Sequence, residues 1–569
     1  MPCIVFINFA FCANHGGVIR QQEQIQRTED EQRREAERRH REMQARPPRE
    51  IEIERPDIPE TPPDDGICVP VDSIRFTGDT LLTGSDKARL ATPFTGRCLG
   101  MNEIGEVVRA VTNLYIERGY VTTRAAVPVQ DLASRILEIR IVEGEVEGIR
   151  LNEDSPADRL RVAMAFPGVK AGRPLNLRDI EQGVDQMNRL PSSDVQIKIE
   201  PGGRPGTSLV VIEDRPGRTW RVGAGLDNSG QESTGSTKYK ASLTKDNPLG
   251  LNDMLTLSAN GDARALEEFS RPASQGYSGQ YTVPYGPWTV TASASFSEYR
   301  AQLEGGGAQY MSTGDTTIWG LDVNRLLHRS PDSRTSAGLN FSVKDVDNYI
   351  ENERLVTGSY DLSILGATLD HSRRLFGGVL SLRGGIDVGL PVLEAETDKS
   401  SERSAPKSEF RKLHATGSLQ RPLDVGGRPV TFSSQASGQW SPDTLYSSER
   451  LDLGGRHTVR GFQRDSLAGD SGGYVRNEIS APILPKEAMP GGLGAVLGEL
   501  SLYAGYDAGF IHRDPDDDYE RGVLQGAALG LRTRGGYLDS DLCLSKPLDA
   551  PSFMNNRDWE IYWELTSNF

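Results

Sequence analysis

The order of apolar and polar positions divides the chain into three textures. Residues 19–46 carry strong helix formers without an apolar stripe, and Glu29/Arg33, Asp30/Arg34, Glu35/Arg39 and Glu37/Arg41 each stand four apart with the acid first. That order favours ion pairs along a helix surface, so the segment predicts a helix that is polar all round: solvated, partly disordered, or lodged inside something polar. The proline-rich stretch 47–66 then predicts an extended linker. From Ile67 the pattern becomes compact and mixed. VDSIRFTG alternates as a strand, and Ile104, Val107, Val108, Val111, Leu114 and Tyr115 recur at helical spacing. ILEIRIV sets Leu137, Ile139 and Ile141 opposite Ile136, Glu138 and Arg140. The same order returns in VEGIRL, ADRLRVAMAF, NLRDIEQGVDQMNRL, DVQIKI and TSLVVIED. Two successive β-α-α-β-β units are expected, at 67–143 and 144–216.

Past Pro216 a two-residue period takes over. In TWRVGAGLD, Trp220, Val222, Ala224 and Leu226 share one face, with Arg221, Gly223, Gly225 and Asp227 on the other. PWTVTASASFSEY alternates Trp288, Val290, Ala292, Ala294 and Phe296 with threonines and serines. The final WEIYWELTSNF puts Trp559, Ile561, Trp563, Leu565 and the terminal Phe569 on one parity, against Glu560, Tyr562, Glu564 and Thr566. A soluble sandwich alternates too. Here, however, small and polar residues fill the second face, aromatics gather near strand ends, and the last strand finishes on Phe. These features fit an outer-membrane β-barrel with lipid outside and a watery lumen, and residues 217–569 hold chain enough for many tilted strands of about 10 residues.

Composition narrows the field. At 569 residues the chain exceeds one compact core. Only 36% of residues are hydrophobic and no run of about 18 apolar residues exists, which removes an ordinary transmembrane helix but not a barrel. A net charge of -16 argues against nucleic acid as a partner. The N-terminal MPCIVFINFAFCANHG is apolar from Ile4 to Ala13. It reads as a signal segment, 1–13, truncated at its basic end, with a short buried segment as the alternative. Cys3 and Cys12 fall within it, and no CxxC pair exists, so no metal site is expected. In an exported chain a Cys68–Cys98 disulfide is the simplest pairing beside a lone Cys543, contributing roughly 2–4 kcal/mol; two buried free thiols would suit a cytosolic chain.

One residue stands out against its surroundings. Arg460, in LGGRHTVRGFQRD, lies in a stretch without helix or strand signal between the strands ending near Trp440 and beginning near Tyr474. A loop of that length, 441–473, is functional or disordered. From Gly461 to Tyr474 it spans at most about 43 Å when extended, against a ~25 Å apolar band, so it can fold inward and carry Arg460 deep into a lumen. SLYAGYDAGFI alternates with Leu502, Ala504, Tyr506, Ala508 and Phe510 facing lipid, which puts Asp507 on the lumen face between Gly505 and Gly509. Two glycines leave room for an incoming loop, and an Arg–Asp pair there is directional and costly to break. A solvated Arg460 in a mobile extracellular loop is the alternative.

Several motifs in order resemble one family. LGGRHTVRGFQRDSLAGDSGGYVRNE is similar to the VRGY/F loop (here Val459, Arg460, Gly461, Phe462) of two-partner secretion transporters, the outer-membrane haemolysin and filamentous haemagglutinin exporters of the ShlB/FhaC/HecB type. GYDAG (505–509) resembles the companion strand motif, KDNPLGLND and YTVPYGPWTV the early barrel segments, and GRCLGMNEIGEVVRAVTNLYIERGYVTTRAAVPVQDL the first polypeptide-transport-associated (POTRA) domain. The resemblance implies about sixteen antiparallel strands, two periplasmic POTRA domains, an N-terminal helix plugging the pore (19–46), and Cys98 paired with Cys68.

The function implied is an outer-membrane pore that binds an unfolded exoprotein in the periplasm and moves it to the cell surface. Its partners would be an exoprotein with an N-terminal secretion domain, outer-membrane lipid, and the barrel assembly machinery, which would read Trp563, Leu565 and Phe569. An extended client can add as a strand to a POTRA edge; the candidate is Tyr120, Val121, Thr122, Thr123 and Arg124 within YVTTRAAVP. An assembly factor that inserts other barrels is the alternative, although such proteins usually carry more POTRA units. A passive porin does not explain the periplasmic units. No HExxH or Walker sequence is present and no catalytic constellation stands out, so neither an enzyme nor a cofactor is expected. RDPDDDYE (513–520) could take Ca²⁺, with a solvated loop the favoured reading.

Overall fold

The computed structural model of the protein describes residues 68–569 apart from 152–154, 231–235, 264–272, 306–307, 331, 357, 399–403, 515–519 and 555–557. The segments expected as signal (1–13), charged helix (19–46) and linker (47–66) lie outside the described residues.

The first α/β unit runs through β1 (Cys68–Val71), β2 (Ser73–Thr77), α1 (Gly84–Ala91), β3 (Arg97–Gly100), α2 (Met101–Glu117), β4 (Arg124–Ala126) and β5 (Ile136–Val142). Its sheet has the order β2-β5-β4, with β2 parallel and β4 antiparallel to β5, so β4 lies at an edge. Leu137, Ile139 and Val107 are fully buried at the centre. Thr83 and Asp86 cap α1 reciprocally, and Arg118 at the end of α2 donates to both Asp86 oxygens at 2.7 and 2.9 Å. These bonds hold the Asp86 carboxyl well below its usual range. β1 and β3 form an additional two-stranded sheet that the periodicity of such short segments did not signal, with the Cys68–Cys98 disulfide across it.

The second unit repeats the theme with β6 (Glu145–Leu151), α3 (Pro156–Ala165), α4 (Leu177–Asn188), β7 (Val195–Pro201) and β8 (Thr207–Asp214), in the sheet order β6-β8-β7. Its core holds Leu175, Ile180, Met187, Val210 and Ile212. α4 also seats the unit on the barrel. Gln182 and Gln186 donate to the Gly286 carbonyl at 3.2 and 2.7 Å, and Arg329 pairs with both Glu181 and Asp185.

The remaining chain closes into an antiparallel barrel of sixteen long strands. The first (Trp220–Asp227) pairs with the sixteenth (Glu560–Asn568), Glu564 opposite Asp227 and Asn568 opposite Gly223. Phe569 and Val222 then exchange two backbone bonds at the end of this seam. The pleat sorts side chains by parity. Trp220, Val222 and Leu226 are outward and exposed, as are Leu502, Tyr506 and Phe510, whereas Tyr503 and Asp507 are buried on the lumen side. No helix among the described residues is long and apolar enough to cross a membrane, so strands are the spanning elements.

Candidate functional site: the inward loop

The loop 441–471 joins the eleventh strand (Arg428–Trp440) to the twelfth (Gly472–Leu484) and folds into the barrel as a small packed body. Leu451–Leu453 and Leu467–Gly469 form a two-stranded ribbon within it. Val459 and Phe462, both fully buried, pack with Leu451, Leu453, Leu467, Ile511, Leu524 and Met554. The apolar residues flanking Arg460 thus form the loop's own core, and Thr458 fastens the bend by donating to the Gly454 carbonyl and accepting from its amide, both at 2.7 Å. Gly461 adopts φ +99°, a left-handed conformation that favours glycine, and an added Cβ would lie 2.8 Å from the Pro547 backbone nitrogen.

This body delivers Arg460, 2% exposed, to Asp507, 1% exposed, on the thirteenth strand (Gly498–Ile511). Arg460 Nε and Nη2 donate to the two Asp507 oxygens at 2.6 and 2.8 Å, the backbone amide of Arg460 adds a third bond at 3.1 Å, and Nη1 reaches Glu478 at 3.1 Å. A fork–fork pair of this kind fixes orientation as well as charge. Glycines make the approach possible. A Cβ at Gly505 would lie 2.1 Å from Arg460 Nη2, and one at Gly526 would lie 1.9 Å from the Arg460 carbonyl oxygen. Gly509 faces Val459 and Leu453 at 3.1 and 3.0 Å on the same measure.

The surrounding charges form a chain across the wall that the sequence reading missed. Glu478 accepts from Arg532 at 2.9 Å, Arg532 Nε donates to Asp541 at 2.6 Å, and Tyr503 donates to Asp541 at 2.8 Å while its ring lies 4.3 Å from the Arg532 guanidinium. Arg456 continues the chain to Glu564 at 2.8 Å, and Glu560 on the last strand accepts from the Gln463 amide at 2.7 Å. The signal available was lumen-face parity in YVRNEIS, LGLRTRG and LDSDLC; what parity lacks is the register that lines these residues up.

The other expected residues lie elsewhere. Tyr120–Thr123 form a turn instead of joining the strand, because Val121 packs on the core of the second unit, Thr122 lies against Gly144, and Thr123 is buried. Of that run only Arg124 stands on the exposed edge strand β4. Leu565 on the last strand and Phe569 just after it are 39% and 57% exposed, with Trp563 partly covered. In the acidic stretch 513–520, Glu520 is buried instead of solvated: it accepts from the Asp470 amide at 2.5 Å beside Arg450, which lies 3.5 Å away. Oxygens of Asp470, Asp514 and Glu520 lie within 4.8 Å of one another, and Arg450 supplies positive charge there.

Comparison with known proteins agrees with this fold. The model of the haemolysin secretion/activation protein family ShlB/FhaC/HecB matches residues 206–533, and POTRA-domain models match 69–144 and 145–201. An outer membrane transporter CdiB of Escherichia coli is 34% identical over 100% of this chain and 93% of its own length. The haemolysin transporter ShlB of Serratia marcescens is 32% identical over 77% of each. The solved structure of CdiB from Escherichia coli superposes with a TM-score of 0.83 at 34% identity, covering 96% of this chain and 98% of that one. That of CdiB from Acinetobacter baumannii, at 21% identity, shares the fold with a TM-score of 0.79. With two POTRA units before a closed sixteen-stranded barrel and an arginine of its inward loop locked to the wall, the chain belongs to the ShlB/FhaC/HecB family of outer-membrane transporters, its barrel in the outer membrane and its POTRA domains in the periplasm.

Proposed function

We propose that this transporter exports one large, unfolded, β-rich exoprotein of the haemolysin, adhesin or contact-dependent toxin class. The observation that carries the reading is the burial of Arg460 on Asp507, which holds a long loop inside the bore and leaves the extracellular mouth under its control. The exoprotein's N-terminal secretion domain meets the POTRA domains first. β4 is short, lies at a sheet edge and continues into exposed Val127 and Val129, so an extended client can add there as a strand, with Arg124 beside it. The charged segment 19–46 acts as the plug that the client displaces. The client then threads past the anchored loop, drawn forward by its own folding outside the cell. Trp563, Leu565 and Phe569 serve an earlier step, as the terminal signal read by the barrel assembly machinery.

The test is export. The chain is expressed in a Gram-negative host with the large exoprotein encoded beside its gene, and that exoprotein is measured in the medium and on cells. Appearance there only when this chain is present supports the proposal. Retention in the periplasm, together with misassembly of other barrels when the chain is depleted, supports an assembly factor instead.

A further inference from the structure

Besides the Asp443 pairs with Lys407 and Arg411, the inward loop makes a further buried ionic contact, earlier in its path than Arg460 and of opposite sign. After Trp440 the chain runs across the bore, burying Leu445 with Val346, Tyr360 and Phe410 and stacking Tyr446 on Tyr360 at 4.1 Å. The short turn Ser447–Glu449 then points Glu449, 2% exposed, at two lysines of the wall. One Glu449 oxygen takes Lys344 of the seventh strand (Ser333–Ile350), and the other takes Lys412 of the tenth (Arg411–Val425) at 2.5 Å. Both lysines are 5% exposed. Neither strand carries a partner of Arg460, so the loop is tied to two separate sectors of the barrel, by a cation at one point and an anion at another.

We propose that Glu449, with Lys344 and Lys412, is a releasable second anchor of the inward loop, and that Asp387 is the carboxylate that receives Lys412 when this anchor opens. The inference rests on reading the loop as the transport element. The two anchors differ in kind. Arg460 presents a rigid fork and makes three bonds to one carboxylate, whereas a lysine is a point charge on a flexible stem that can change partner. Breaking a buried ion pair is costly chiefly because a charge is left uncompensated. Lys412 escapes that cost. Asp387 Oδ2, on the ninth strand (Gly378–Leu390), lies 3.5 Å from Lys412 Nζ, and Asp387 Oδ1 is buried with no hydrogen-bond partner among the described residues. His414 Nδ1 lies 3.2 Å from the same Oδ2. These residues line a polar cavity of 1070 Å³ in the lumen, into which the freed limb of the loop can swing while Arg460 stays fixed.

The experiment records ion conductance of the purified full chain in planar lipid bilayers, with heat-modifiable migration as the folding control. Glu449→Gln should raise open-state occupancy on the order of tenfold, as expected for loss of one charge-assisted bond. Asp387→Asn, which leaves both Glu449–lysine pairs of the closed state in place, should lower occupancy by taking away the receiving charge. A folded Glu449→Gln with parental conductance, or an Asp387→Asn that opens more often, overturns the proposal. Arg460→Ala, measured alongside, separates the two failures. If it changes conductance or export and Glu449→Gln does not, only the second anchor is wrong; if it changes neither, the reading of the loop fails as well.

Discussion

Arg460 shows what a single cation can organise when its neighbours are shaped for it. Its guanidinium is satisfied by Asp507 and Glu478, yet the contact exists only because the wall lacks side chains at Gly505 and Gly526. Adding one methyl group tests this without altering any charge. At Gly526 the added Cβ would meet the Arg460 carbonyl, a backbone atom that no rotamer change relieves. Gly526→Ala should therefore lower exoprotein export toward the level of an Arg460 truncation while the barrel still assembles. Export at the parental level would show that the close approach is dispensable. The Arg–Asp partnership was legible in the sequence because two local signals coincided: a cation in an unstructured stretch, and a carboxylate between glycines on the lumen parity. Glu478, Arg532 and Asp541 were not legible. Each sits in an ordinary strand, and their alignment depends on the register among the strands 472–484, 498–511, 522–535 and 538–549, a non-local property that alternation cannot supply. Glu449 carried no signal at all, lying in a single 3₁₀ turn.

At the scale of elements, tertiary packing overrode one local reading. YVTTRAAVP has the β-branched content of a strand, but the second POTRA unit takes Val121 for its core and holds Tyr120–Thr123 as a turn against it. Backbone bonds from Leu177 to the Gly119 carbonyl at 2.8 Å and from Leu175 to the Gly144 carbonyl at 2.8 Å seal that junction. The long helix α2 and the strand β5 were legible because each presents many apolar positions in one period. The two four-residue strands β1 and β3 were too short to show one. They are joined covalently, and Cys68→Ser should weaken the first POTRA unit by roughly 2–4 kcal/mol. Limited proteolysis of the full chain checks this. Cleavage within residues 68–143 should appear at lower protease than in the parent, with the barrel fragment unaffected; equal resistance would mean that the disulfide adds nothing to the unit.

Taken whole, the molecule combines an edge strand in the periplasm, a second unit seated on the barrel, and a loop fastened inside the bore. The seat is specific. Arg329, 8% exposed, lies between Glu181 and Asp185, and removing it leaves two acids facing an empty position. Arg329→Ala should widen the distribution of distances between spin labels on the second POTRA unit and the barrel, and should reduce export. An unchanged distribution would place the rigidity elsewhere, for example in the glutamine bonds to Gly286. The most direct test of the account remains the anchored loop itself. Arg460→Ala leaves Asp507 buried without its main partner, a loss of about 3–5 kcal/mol at that site. Exoprotein in the medium is measured for this variant beside the parent, with heat-modifiable migration confirming that the barrel has assembled. The account predicts a folded barrel whose export is largely lost; a folded barrel that exports at the parental level would contradict it.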